Sequence, residues 1–452
     1  DQPRSRGLGD VYKRQMLFSR LYHTLFVLLY LYTLRSLAFP FAPQLDAYND
    51  VFDNPSGPSS CKQKGPLPMP SGAELTSIDM GSNASLAAYW TADEKKDKVT
   101  HTIVVIHGAR RDADVYWSTI NDALQARYGS GNSNVTVVAP IFFSAKLNKK
   151  QYTSRQLAWG EVNSWQPGEG SIHPSGVRIS SYKAIKILFN HLADKKVYPN
   201  MRNVTLVGHS GGAQLVSRFA TVVPSLPDLY FRFVVADPSS NPYFTPDRPV
   251  VDGAQDPKEC SLFNSWRYGF ENFTVPEYKK REPLEHFLSY VKRDVVHLNG
   301  ALDTVANGDQ ECMAILQGGP LRIVRNLVWW KYLNLLAGTT SKLDLFPGNF
   351  SHLPDWSEAA QGEIRSRLSV IPDMEHDNTI LSSPQGQSTI FDDDNITTGW
   401  LPDIKNAACL RDSLKTDASS GKDSCLNSAT SIRSNVAVVA AIVAGIIAFI
   451  IM

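Results

Sequence analysis

Gly208-His209-Ser210-Gly211-Gly212 is a G-x-S-x-G sequence, and the chemistry it could do is nucleophilic attack by the Ser210 hydroxyl. A serine on a tight turn between a strand and a helix takes strained backbone angles. Neighbours without side chains let the helix pass close to the strand and leave Oγ exposed. The surroundings meet that demand, with an apolar run at 204–208 directly before the motif and a helical stretch from Gly211 to Val223 directly after it. The setting makes Ser210 a candidate nucleophile rather than one residue of a glycine-rich turn.

A serine hydroxyl is a poor nucleophile until a base takes its proton. On a strand-turn-helix of this kind the chain order is serine, acid, histidine, so of the ten histidines only His286, His297, His352 and His376 qualify. His297 lies inside a predicted strand and His286 in a long insertion. His376 follows the last predicted strand in the loop Pro372 to Asp377, which favours it as the base over His352. An acid is needed to fix the imidazole tautomer and stabilise the imidazolium. Asp303, after the strand at 294–299, is favoured; Asp237, after the strand at 231–236, is the alternative, with a turn or helix cap before Pro238 as its structural role. Two backbone N–H groups must also meet the developing oxyanion. Gly211, next to the nucleophile, and Ala109, in the loop after the strand at 102–106, are the candidates, with His107 read as shaping that loop. Trp159, Trp165 and Gly168, from the first long insertion, and His209 are candidate substrate-lining residues.

The elements that must carry these residues follow from periodicity. Short β-rich runs at 74–79 and 84–91 predict an antiparallel pair, and apolar runs at 102–106, 135–139, 204–208, 231–236, 294–299 and 366–371 predict strands buried on both faces, as in parallel sheets. Apolar stripes predict helices over 177–193 and 311–336, the latter broken near Gly318-Gly319-Pro320. The fold class is therefore α/β, a mostly parallel sheet covered by helices on both faces. The connections 141–176 and 237–293 exceed simple crossovers and are expected to cover a site, the second as a cap.

Forty-five basic against 44 acidic residues give a formal net charge of +1, which argues against nucleic acid as a partner. Residues 1–15 read as a non-native leader before Met16, residues 16–38 as a signal peptide, and 39–73 as an extended Pro/Ser/Gly-rich segment. The α/β pattern occupies 74–405, a stalk 406–435, and the uncharged run 436–452 reads as a GPI-attachment signal, with a retained membrane helix as the other option. The expected location is the secretory pathway and the cell surface. Six N-x-[ST] sequons agree with export; Asn83, Asn272, Asn349 and Asn395 are the expected glycosylation sites, and Asn134 and Asn203, at strand starts, are the doubtful ones. Five cysteines imply at least one disulfide, with Cys260 to Cys312 and Cys409 to Cys425 as the expected pairs and Cys61 left over.

The segments VVIHGAR, LVGHSGG, HLNGALDT and PDMEHDNTIL resemble the α/β-hydrolase superfamily over about residues 74–405, and the aromatic segment around Trp159 to Trp165, ADPSSNPYF and ECMAILQGGPLRIVR are similar to a secreted, uncharacterised branch found in fungi. The resemblance implies an α/β-hydrolase fold and a serine hydrolase that cleaves a carboxylic ester through an acyl-enzyme, with no metal or organic cofactor. The substrate would be a small-molecule or lipid-like ester, and the membrane would be met through the C-terminus. A serine peptidase or amidase on the same residues, or an inactive hydrolase-fold binding protein, are the other two readings.

Overall fold

The computed structural model describes residues 65–161, 163–250 and 257–391. The leader, the signal peptide, most of the extended segment with Cys61, and the stalk and tail with Asn395, Cys409 and Cys425 lie outside the described residues. Among the described residues, no helix is long and apolar enough to cross a membrane.

Eight strands form the central sheet: β1 (Ala73–Gly81), β2 (Ala84–Thr91), β3 (His101–Ile106), β4 (Val135–Pro140), β7 (Asn203–His209), β8 (Tyr230–Ala236), β9 (Asp294–Gly300) and β10 (Arg367–Ile371). Their order across the sheet is β1-β2-β4-β3-β7-β8-β9-β10. β2 runs antiparallel to both neighbours, and every later pair is parallel. β5 (Phe143–Ser144) and β6 (Ala158–Trp159) pair separately inside the first insertion.

Alternation along the strands divides the core in two. Val104 and Ile106 of β3, Leu206 of β7 and Phe233 and Val235 of β8 face one apolar layer. Ile103, Val105, Val207, Val234 and Ala236 face the other. A strand buried on both faces has no polar side to signal its period, which is why these strands read as continuous apolar runs. The first layer is closed by α2 (Ser181–Ala193), α3 (Gly211–Val222), α4 (Pro283–Val291) and α6 (Arg322–Ala337), the second by α1 (Ala113–Tyr128) and α8 (Pro384–Phe391). A mostly parallel sheet covered on both faces, with the G-x-S-x-G turn between a central strand and its helix, is the expected α/β-hydrolase fold. The anticipated break in 311–336 separates the short α5 (Cys312–Ile315) from α6, and a further short helix, α7 (Ser357–Ala360), precedes β10.

The sequence reading assigns no helix to 113–128, 283–291 or 384–391. In α1 the buried stripe Tyr116, Trp117, Ile120 and Leu124 is diluted by Asp114, Ser118, Thr119 and Asp122, and the other two helices are too short to show several turns of a stripe.

The second insertion is largely irregular, so its buried carbonyls find no ladder partners and need donors from elsewhere. Buried arginines supply them. Arg248 donates to the carbonyls of Thr245, Asp247, Phe263 and Tyr268, Arg218 to that of Arg267, and Arg325 to that of Ser239 and, beyond the insertion, to those of Asp309, Gly319 and Pro320. Cys260 is disulfide-bonded to Cys312, which ties the insertion to the start of α5.

Candidate active site

Ser210 stands between β7 and α3 with φ 58° and ψ −118°, a positive-φ backbone that L-residues adopt only under constraint. The constraint is close packing. A Cβ on Gly212 would lie 2.3 Å from the carbonyl oxygen of Ile106, and one on Gly208 would lie 2.3 Å from the Gly212 carbonyl carbon. Glycine at both positions lets α3 press against the ends of β3 and β7, which holds the turn. The Ser210 N–H donates to the Ala236 carbonyl at 2.9 Å, so the turn is also held from β8. Gly211 opens α3, where backbone N–H groups have no intrahelical acceptor and the helix dipole favours negative charge.

The second N–H candidate, Ala109, sits in a turn fixed by His107. The Phe142 N–H donates to His107 Nε2 at 3.0 Å, so the ring proton is on Nδ1, which donates to the Gly108 carbonyl at 2.8 Å. The same carbonyl accepts from the Arg111 N–H at 3.1 Å. Burial pushes the His107 pKa down to about 3, so the imidazole is neutral and structural. Gly108, Ala109, His209, Ser210, Gly211 and His376 all line one cleft of about 530 Å³.

His376 Nδ1 is 3.1 Å from Asp303 Oδ2. Backbone bonds join the turn bearing the acid to the loop bearing the histidine: Ala301 N–H donates to the Ile371 carbonyl and Leu302 N–H to that of Met374, both at 2.9 Å. Asp303 is buried, and Arg322, at the start of α6, grips it with Nε at 2.9 Å from Oδ2 and Nη2 at 2.5 Å from Oδ1. Burial works against the charged carboxylate, but the hydrogen bonds and charges of His376 and Arg322 outweigh it and hold the Asp303 pKa below its ordinary value. Such an acid stays ionised and can orient an imidazole whose other nitrogen serves as base.

Asp237 lies nearby with a different environment. It is fully buried at φ 48°, Oδ1 accepts from the Gly300 N–H at 3.0 Å, and Oδ2 has no hydrogen-bond partner. Burial, and then the charge on Asp303, push its pKa well above the ordinary value. His209 packs its ring 4.6 Å from that of His376, and its Nδ1 is 2.8 Å from the Tyr116 hydroxyl. Burial and the neighbouring His376 and Arg322 lower its pKa well below the usual value, so it is a neutral floor to the cleft. His209, Asp237 and His376 present ligand atoms within 4.8 Å of one another. Because burial and the charge on Asp303 disfavour the ionised form of Asp237, a cation there would have to compete with that carboxyl's proton.

Other sequence expectations fall away from the cleft. Trp159 and Trp165 are fully buried rather than lining it: Trp165 stacks on Phe142 with ring centroids 5.3 Å apart, and Trp159 Nε1 donates to the Glu169 carbonyl. Large aromatic rings in an insertion are as well suited to filling a core as to touching a ligand, and these fill the space behind His107. Gly168 packs on the Tyr182 ring. The rival His352 is exposed and outside the cleft lining, while His286 and His297 are buried and bonded to the Arg281 N–H and the Tyr290 hydroxyl. Asn83, Asn272 and Asn349 are exposed. The sequence reading missed Arg322. Its one signal is a cation in the first turn of an apolar helix, where the dipole disfavours positive charge and an acidic partner is required.

No protein-family model and no curated protein matches the chain. Among solved structures it is similar to poly(aspartic acid) hydrolase-1 from Sphingomonas sp. KT-1, with 19% identity over 72% of this chain and 100% of that one and a TM-score of 0.49. It is also similar to the poly(3-hydroxybutyrate) depolymerase LpqC from Bordetella parapertussis, with 19% identity over 75% and 94% of the two chains and a TM-score of 0.45. The siderophore hydrolase EstA from Aspergillus nidulans is 11% identical over 71% and 93%, with a TM-score of 0.37.

Proposed function

We propose that the chain is a serine hydrolase that cleaves a carboxylic ester through an acyl-enzyme. The observation that carries the reading is the Asp303–His376 pair at 3.1 Å, whose imidazole lines the cleft that also exposes Ser210 on its strained turn. In this reading His376 takes the proton of Ser210 as Oγ attacks the ester carbonyl. The carbonyl electron pair moves onto oxygen, where the Gly211 and Ala109 N–H groups receive it. His376 then gives the proton to the leaving alkoxide, and a water molecule, activated by the same imidazole, releases the acid.

The cleft lining supports a polar substrate over a lipid-like one. Among the described residues its side chains include Asn163, Gln166, Gln214, Ser239, Asn307 and Asp309, against only Ala109 and Val115 as aliphatic members. A long acyl chain gains by burying CH₂ groups against apolar surface, about 0.8 kcal/mol each, and this cleft offers little of it. The same amide side chains would suit a peptide bond's polar groups, which keeps an amidase or peptidase as the second reading.

The test is hydrolysis of 4-nitrophenyl esters from acetate to palmitate, beside a peptide panel, by purified wild type and Ser210→Ala. Activity on short or polar esters, absent in a folded Ser210→Ala variant, is the expected outcome. Ester turnover that survives the substitution removes Ser210 as nucleophile. Export with a lipid anchor is proposed on segments 16–38 and 436–452. Release from intact cells by phosphatidylinositol-specific phospholipase supports it, and retention with the tail still attached contradicts it.

A further inference from the structure

Gln166 follows Trp165 in the first insertion and is buried at the cleft wall. Its backbone is held on both sides: its N–H donates to the Asn163 carbonyl at 3.0 Å, and its carbonyl accepts from the Tyr182 hydroxyl at 3.0 Å. The side-chain amide is fixed as well, with Nε2 donating to Asn163 Oδ1 at 3.3 Å. Nε2 lies 2.6 Å from the point where a Cβ on Gly211 would stand, and the Ala109 nitrogen lies 3.2 Å from the same point. The two backbone groups assigned to the oxyanion and the Gln166 amide therefore converge beside Ser210. A primary amide carries two N–H bonds, and Asn163 occupies only one.

We propose that Gln166 is a catalytic residue, a third hydrogen-bond donor to the oxyanion. The proposal rests on the serine-hydrolase reading. When Oγ bonds to the carbonyl carbon, the C=O pair moves to oxygen and the proton goes to His376. Gln166 transfers no proton and only donates a hydrogen bond to the new charge. When the tetrahedral species collapses, the pair returns to carbon, the bond to the leaving group breaks, and His376 returns its proton to that group. A donor placed before the reaction is stronger toward a full negative charge than toward a ground-state carbonyl, so its effect falls on kcat more than on KM.

Gln166→Met keeps the side chain's length and removes the donor, and Gln166→Glu keeps its shape and places a negative charge there. With Gln166→Met, kcat on a short ester should fall by roughly 10²–10³-fold with KM changed only a few-fold, the size found when one such donor is lost. Affinity for a trifluoromethyl ketone, which forms the oxyanion on Ser210, should fall by the same factor, and Gln166→Glu should fall further on both. Wild-type kcat and ketone affinity in Gln166→Met overturn the proposal. If neither variant folds, a structure of the wild type inactivated by a fluorophosphonate decides. The phosphoryl oxygen within hydrogen-bond reach of Nε2 supports the role, and an amide turned away contradicts it. A wild type that fails to react at Ser210 removes the serine-hydrolase reading itself, whereas a reactive wild type with an indifferent Gln166 removes only this donor.

Discussion

Asp303 and Asp237 follow the ends of two neighbouring parallel strands and are both buried, yet their surroundings push them in opposite directions. Asp303 has a guanidinium on both oxygens and an imidazole on one, so it is held ionised. Asp237 has one backbone N–H and an oxygen with no partner, so burial and its neighbour's charge push it toward the neutral form. A carboxyl at a strand end is thus a position, and the cation beside it decides whether it can serve as the orienting anion. Two carboxyls this close cannot both ionise cheaply, and Arg322 settles which one does.

The largest effect that would break this comparison belongs to Asp303. Asp303→Asn should lower kcat by about 10⁴-fold, as when a triad acid becomes its amide and the imidazole loses tautomer control. Steady-state ester hydrolysis checks it, and near-native turnover would return the role to Asp237. Next comes Arg322. Arg322→Met leaves a buried carboxylate with only His376 opposite it, and breaking a buried pair from one side typically costs about 3–5 kcal/mol. Denaturant unfolding at neutral pH should show a loss of that order. Because the Asp303 pKa is lowered by folding, its contribution to stability is present above the ordinary aspartate value and is lost as pH falls through the lowered one. The penalty of Arg322→Met should accordingly shrink in acid.

The smallest effect on activity belongs to Asp237. Asp237→Asn should keep turnover within a few-fold of wild type, because an amide replaces a neutral acid. The sign of its stability effect is the reverse of that for Asp303. A raised folded-state pKa favours folding below the ordinary aspartate value, and that contribution is lost as pH rises through the raised one. The unfolding midpoint of Asp237→Asn, relative to wild type, should therefore climb with pH. A gap constant with pH would show that Asp237 does not titrate in the folded protein.

The contrast between these two acids also marks how far sequence alone reaches. The strand ends, read at 236 and 299 and found at 236 and 300, were legible because parallel core strands announce themselves as apolar runs, and the motif around Ser210 was legible because its glycines answer a local steric demand. Asp303 is favoured over Asp237 from its strand-end position alone, but the contact that holds it ionised comes from Arg322, 19 residues further on, and no periodicity encodes it. Trp165 drew notice by size while its neighbour Gln166 did not, although Trp165 is packed into the core and Gln166 faces the cleft. Aromatic residues are conspicuous in a sequence, but whether one meets substrate or core depends on the fold around the insertion.

The most direct test is the rate of Ser210 phosphonylation by a fluorophosphonate, with the labelled peptide identified by mass spectrometry, in wild type, Asp303→Asn and Asp237→Asn at neutral pH. The account predicts a single label on Ser210, a rate near wild type for Asp237→Asn, and a rate lower by orders of magnitude for Asp303→Asn. A label on another residue, or a slow Asp237→Asn beside a fast Asp303→Asn, would contradict it.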